Sequence, residues 1–163
     1  MNFTEITSHL SSRGYTFEIV ESNVLMPYII LPKEQLTAVC ETLFSDPRFY
    51  FDYLSCITAL DLGVEAAKFE IAYNLYSIIH HQSLCVKVVL DRPTDERLPC
   101  IDTISHIWKS ALWHEREAYD MYGIVFTHHP DLRRILNPAD WVGHPLRKDY
   151  VANVEYHGVR VPY

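Results

Sequence analysis

The sequence predicts an α+β fold: an antiparallel or mixed sheet with helices packed on one face, followed by an irregular carboxyl-terminal arm. Three observations lead there. Apolar residues recur at helical spacing in the amino-terminal third, then alternate with a period of two between Phe49 and Leu90, and beyond Gly123 prolines at 130, 138, 145 and 162 interrupt every pattern. One chain of 163 residues is large enough for a single buried core, so residues 1–123 read as an α+β core domain and residues 124–163 as an extended, loop-rich arm of the same domain.

"NFTEITSHLSSRGY" predicts a short helix: Thr4 can cap it, Phe3, Ile6 and Leu10 share a side, and Gly14 suits the stop. "NVLMPYIILP" reads as a first strand. "KEQLTAVCETLFSDP" places Leu36, Val39, Cys40 and Leu43 at helical spacing, with Pro47 beyond the end, and predicts a second helix. "FDYLSCITAL", "KFEIAYNLYSII" and "LCVKVVL" follow, joined by the short polar connections "DLGVEAA" and "HHQS", which predict a three-stranded antiparallel meander. After the turn-rich "DRPTDERLPC", a long helix is expected from Asp102 or Thr103 to about Tyr122, ended by Gly123.

That helix carries an unusual pattern. Ile104, Ile107, Trp108, Ala111, Ala118, Tyr119 and Tyr122 fall on one side, and Glu115 falls among them. A carboxylate in a core stripe needs a committed partner or a raised pKa, and Arg133 and Arg134, a short loop away, are the candidates. The opposite side holds Trp113, Arg116, Glu117 and Asp120, with Arg116 and Asp120 four apart and able to pair. A Trp among charges on a solvent face reads equally as an interface anchor or as a side chain covered by the chain's own arm.

The formal net charge of -7 argues against a nucleic-acid surface. Cys40, Cys56, Cys85 and Cys100 lie far apart without a CxxC pair, and "MNFTEITSHL" lacks the basic start and apolar run of a secretory signal, so a reduced, cytosolic-side protein is expected. The apolar run "VLMPYIIL" is far short of the roughly 20 residues a membrane span needs. "HEREA" begins like the zinc signature HExxH, but Ala118 stands where the second histidine belongs. The adjacent pairs His80–His81 and His128–His129 suit turns better than ligation, and the five glycines are too dispersed for a dinucleotide or phosphate loop. Asp120 with His129 remains a minor candidate for a general acid–base couple in a stand-alone enzyme.

"WHEREAYDMYGIVFTHHPDLRRIL" and then "DWVGHPLRKDY" closely resemble the signature of the C-subunit family of proton-pumping NADH:quinone oxidoreductase, respiratory complex I. The family pattern E-R-E, D, G-I, H-P, R-R-I-L and H-P-L-R-K-D-Y is carried by Glu115, Arg116, Glu117, Asp120, Gly123, Ile124, His129, Pro130, Arg133, Arg134, Ile135, Leu136 and residues 144–150. The match is sharp from about Trp108 to Tyr150 and looser upstream, in "FDYLSCITALD" and "YNLYS". His128 stands where a glycine is expected before H-P, so either this turn does not demand a positive φ or the local turn differs. Ending at Tyr163, the chain is expected to be the stand-alone form rather than a fusion to the adjacent D-type subunit.

The resemblance implies a non-catalytic structural subunit of the peripheral arm, on the cytoplasmic side of the bacterial inner membrane and without a membrane span. It implies no cofactor in this chain, with FMN, iron–sulfur clusters and quinone held by partner subunits, chiefly the cluster-bearing subunits and the quinone-site D-type subunit. Equivalent subunits of a ferredoxin:plastoquinone oxidoreductase or a membrane-bound hydrogenase fit the same residues. Under this reading Glu115, Glu117, Arg116, Asp120, Arg133 and Arg134 form a structural charge lock in which Arg133 and Arg134 neutralise Glu115 and Glu117. Trp113, His129, Pro130, His144, Arg147, Lys148, Asp149 and Tyr150 then face partner subunits.

Overall fold

The computed structural model describes residues 2–93 and 97–160. The first helix, α1 (Phe3–Ser12), is capped by Asn2 rather than Thr4: the Asn2 side chain accepts from Glu5 N while the Glu5 carboxylate accepts from Asn2 N, a reciprocal capping box. A short strand that the alternation did not reveal, β1 (Glu18–Val20), precedes β2 (Tyr28–Leu31), which occupies only the end of the expected first strand. A single 3-10 turn (Lys33–Gln35) leads into α2 (Leu36–Ser45). The meander follows as β3 (Tyr53–Asp61), β4 (Lys68–Ser77) and β5 (Gln82–Asp91), antiparallel throughout.

These strands make one mixed sheet in the order β1-β2-β5-β4-β3, with β2 parallel to β5. The chain can run parallel there because α2, β3 and β4 intervene between the two. Alternation decides the faces. Phe69, Ile71, Tyr73 and Leu75 of β4, with Leu84, Val86, Val88 and Leu90 of β5, join Ile6 and Leu10 of α1 and Val39, Cys40 and Leu43 of α2 in one buried core. Glu70, Ala72 and Asn74 turn to the other face, where Lys87 Nζ binds Glu70 at 2.8 Å and sits 4.1 Å from the centre of the Tyr28 ring.

The segment after β5 departs from expectation. Instead of entering a helix, Cys100–Asp102 forms β6, paired in parallel with β7 (Val125–Thr127). Turns fill residues 105–110, and α3 runs only over Ala111–Tyr122. The cause is long-range pairing: β6 finds its partner across α3, and Ser105 N donates to Thr103 Oγ1 at 3.1 Å, a local bond that competes with helix formation. The apolar spacing of Ile104, Ile107 and Trp108 thus belongs to a buried turn. Trp108 is still inside, its indole N–H donating to Phe51 O at 2.9 Å.

Short strands also appear where prolines were expected to forbid them. Ile124, just before β7, and Phe126, at its centre, belong to the core, and β8 (Glu155–Tyr156) pairs with β9 (Val159–Arg160). Both pairs lie between the prolines rather than across them, which is why the rings do not interfere. Among the described residues no helix is long and apolar enough to cross a membrane.

Candidate functional site

Two carboxylates on α3 organise the carboxyl-terminal part of the chain. Asp120 was expected on the solvent side, paired with Arg116; it is instead fully buried beneath the arm. One of its oxygens accepts from Arg134 Nη1 at 2.7 Å and Asn137 Nδ2 at 3.0 Å, and the other from the backbone N–H groups of Ile135, Leu136 and Asn137 at 3.0, 2.8 and 2.8 Å. Its peptide oxygen accepts from Arg134 Nη1 at 3.2 Å and lies 3.0 Å from His144 Nδ1. Burial works against ionisation here, but the donors from Asn137, Arg134 and Leu136 outweigh it and hold the carboxyl well below the usual carboxylate range.

Arg134 extends this lock, its Nη2 donating to Trp141 O and Gly143 O at 2.9 Å each. Arg116 does not bind Asp120; its Nε and Nη2 donate to the carbonyls of Arg133 and Arg134 at 3.1 and 3.0 Å. Arg133 turns outward to Asp131 at 3.0 Å.

Glu115 is the second carboxylate, and it is fully buried. Its partners are not Arg133 and Arg134. Thr103 Oγ1 donates to one oxygen, Ile104 N donates to the other at 2.9 Å, and His129 Nε2 stands 3.9 Å away. Arg134 is drawn to Asp120 because that residue faces the arm, one helical turn and more from the side that faces the sheet. Burial pushes the Glu115 carboxyl up to about 7, against the opposing pull of Thr103 and Ile104. Glu117 is exposed and binds no described cation.

Several residues expected to face partners turn inward instead. The His129 side chain is buried: its Nδ1 accepts from Asp131 N at 3.0 Å, which puts the ring proton on Nε2, 3.2 Å from Leu112 O. That arrangement also rules out an acid–base couple with Asp120, whose oxygens are occupied by other donors. His144 is tied to Asp120 and packs edge-on to Tyr119, 6.1 Å between ring centres. Arg147 Nε donates to Tyr122 O at 2.5 Å and its guanidinium lies 5.3 Å from the centre of the Phe69 ring. Lys148 N and Gly63 N each donate to the Asp61 carboxylate at 2.8 Å, while Arg92 bridges Asp61 and Asp149. Tyr150 N donates to Arg147 O at 3.1 Å. The Lys148 and Asp149 side chains, Pro130 and Trp113 remain exposed, Trp113 by 62% with Arg116 5.3 Å from the centre of its ring.

Backbone geometry makes this docking possible. Gly123 ends α3 at φ 70, and a Cβ there would meet His144 Nε2 at 2.5 Å and Arg147 Nη2 at 2.6 Å. His128 also takes a positive φ, 64, so the turn before His129 does demand the left-handed region although no glycine supplies it. Sequence reasoning missed Thr103, Ile104, Asn137, Asp61 and Arg92 as partners. The Asn137 signal was present, an amide just before Pro138; the others act across 11 to 87 residues of chain and left no local sign.

Comparison with known proteins agrees with this architecture. The family described as "Respiratory-chain NADH dehydrogenase, 30 Kd subunit" matches residues 29–156. The C subunit of NADH-quinone oxidoreductase from Chlorobium phaeobacteroides is 41% identical over 153 residues, covering 92% of this chain and 89% of that protein. The protein of the same name from Chloroherpeton thalassium is 43% identical over 146 residues, 88% of this chain but 58% of its own length. Among solved structures, a trypsin-resistant fragment of Nqo5 superposes with a TM-score of 0.62 at 26% identity, covering 81% of this chain and all of the fragment. A chain of an archaeal membrane-bound sulfane sulfur reductase shares the fold, with a TM-score of 0.71 at 20% identity over 91% of this chain and 85% of that one. The matched span takes in the sheet from Ile29 of β2 onward, α3 and nearly all of the locked arm, and the chain belongs to the family of the 30 Kd subunit of the respiratory-chain NADH dehydrogenase.

Proposed function

We propose that this chain is a non-catalytic structural subunit of the peripheral arm of a proton-pumping NADH:quinone oxidoreductase. The observation that carries the reading is the match of residues 29–156 to the 30 Kd subunit family. The site geometry supports it. Most charged groups of the signature, Glu115, Arg116, Asp120, Arg134, Arg147 and Asp149 among them, are spent on holding α3, the arm and the β3 end together, while Glu117, Arg133 and the Lys148 side chain stay outside that network. Among the described residues no three His, Cys, Asp or Glu side chains come together to hold a metal.

In this reading flavin, iron–sulfur clusters and quinone reside in other subunits, the quinone-site D-type subunit and the cluster-bearing subunits are the neighbours, and the complex sits on the cytoplasmic face of the membrane. The exposed side of α3, with Trp113 at its centre, and the outer surface of the arm supply the contacts.

Affinity purification of the tagged full-length chain from its own cells, followed by mass spectrometry, tests this. Subunits bearing iron–sulfur clusters and the quinone-site subunit are expected to co-purify with NADH:quinone activity. A chain that purifies alone, or that carries turnover by itself, sinks the reading.

A further inference from the structure

Glu115 differs from the other carboxylates of the signature in being buried without a cation. Among the described residues no Lys or Arg meets it, and its side chain and that of His129 are both wholly shielded from solvent. The ionisable groups packed around it come from three other elements: Cys40 of α2, Tyr73 of β4, and His129 of the arm. Burial pushes the Cys40 thiol and the Tyr73 hydroxyl up, so both stay neutral, and the Tyr73 hydroxyl has no partner among the described residues. Nothing charged holds Glu115 in its ionised form.

Two donors beside it each face two acceptors. The Thr103 hydroxyl lies against Glu115 Oε2 and 2.8 Å from Ser105 Oγ, and it has one proton to give. A protonated Glu115 donates to Thr103, whose own proton then serves Ser105. An ionised Glu115 takes the Thr103 proton instead, and Ser105 turns to donate to Thr103. The His129 Nε2–H stands in the same position, 3.2 Å from Leu112 O and 3.9 Å from Glu115 Oε2. Leu112 lies inside α3, where its carbonyl accepts from the N–H four residues on, so it loses little if the histidine leaves. Nδ1 is held by Asp131 N at 3.0 Å, and the ring therefore moves together with the turn at residues 129–131.

We propose that Glu115 and His129 form a proton-linked latch: when Glu115 releases its proton to solvent, the His129 Nε2–H passes from Leu112 O to Glu115 Oε2 and draws residues 129–131 toward α3. A movement of about 1 Å turns the present separation into a charge-assisted hydrogen bond. Burial leaves the Glu115 carboxyl poised at about 7, so pH changes around neutrality work the latch. Pro130 is exposed, and a proton held deep in the core is in this way read out at the surface of the arm.

The latch is a property of the free chain, so its test stands apart from the functional reading. The full-length chain with isotope-labelled histidine and glutamate is titrated by NMR from about pH 5 to pH 9. The His129 Nε2 proton resonance is expected to move downfield as pH rises, with the same midpoint, about 7, as the Glu115 carboxyl carbon. Nδ1 stays unprotonated throughout. Glu115→Gln, which cannot ionise, is expected to abolish the histidine shift. A His129 resonance that stays flat, or that moves with a midpoint other than that of Glu115, overturns the proposal in the parent chain without recourse to a variant. A shift that survives in Glu115→Gln overturns it too, and assigns the movement to the surface pair His128 and Asp102, 3.9 Å apart. A proton gained at Nδ1 makes His129 the titrating group and has the same consequence.

Discussion

Glu115 sits where water cannot reach, held by Thr103 and Ile104 and facing the edge of the His129 ring. Its folded pKa of about 7 lies above the ordinary value of 4.5, so between those values the folded chain retains a proton that the unfolded chain has lost. The associated stability is fully present below pH 4.5 and falls as pH rises to about 7, by an amount on the order of 3 kcal/mol. Asp120 works in the opposite direction: its depressed pKa stabilises the fold above the usual carboxylate range and is lost only as pH falls below it. Glu115→Gln keeps an oxygen for Ile104 N and cannot ionise. Urea midpoints from pH 5 to pH 8 are expected to lie nearly level in this variant, above the parent at pH 8, whereas a slope equal to the parent's assigns the titration elsewhere. The helical stripe placed Glu115 among apolar residues, and that much was legible. Its partners were not, because Thr103 and Ile104 lie in a segment whose own apolar spacing mimics the first turns of a helix.

At the scale of elements, α3 is a two-sided clamp, one side on the sheet and the other under the arm. The Arg134 guanidinium ties Asp120 of α3 to the arm carbonyls of Trp141 and Gly143. Arg134→Ala leaves the buried Asp120 carboxylate without its cation, and a loss of about 3 kcal/mol is expected. Limited proteolysis should then cut within residues 137–160 well below the melting temperature; equal resistance of variant and parent would place the arm's anchorage elsewhere. The meander was readable from alternation because each of its connections is short, so sequence neighbours are also spatial neighbours. The pairing of β6 with β7 and of β2 with β5 was not. Parallel partners are separated by whole elements, and three or four residues of strand carry too little pattern to announce a distant mate. The prolines signalled the arm's loops but not its short strands β7, β8 and β9, and its inward-facing side chains depend on turns at Gly123 and His128 whose direction no periodicity encodes.

For the whole molecule, one face of the sheet is covered by helices and the signature residues knit the carboxyl-terminal half to it, leaving Trp113 as a large exposed ring outside that closed system. Trp113→Ala is expected to leave the melting temperature of the free chain within about 1 °C and to reduce the yield of assembled complex several-fold; an unstable free chain with normal assembly would make the ring a folding element instead. The Asp120 hub also governs how the chain comes apart. Its bonds close spans of 14 to 24 residues between helix and arm, so the arm loses its main anchorage once the last turn of α3 frays. Denaturant should melt both in one cooperative step. During synthesis the same dependence runs forward: the helix must be seated before the final residues have anything to fold upon.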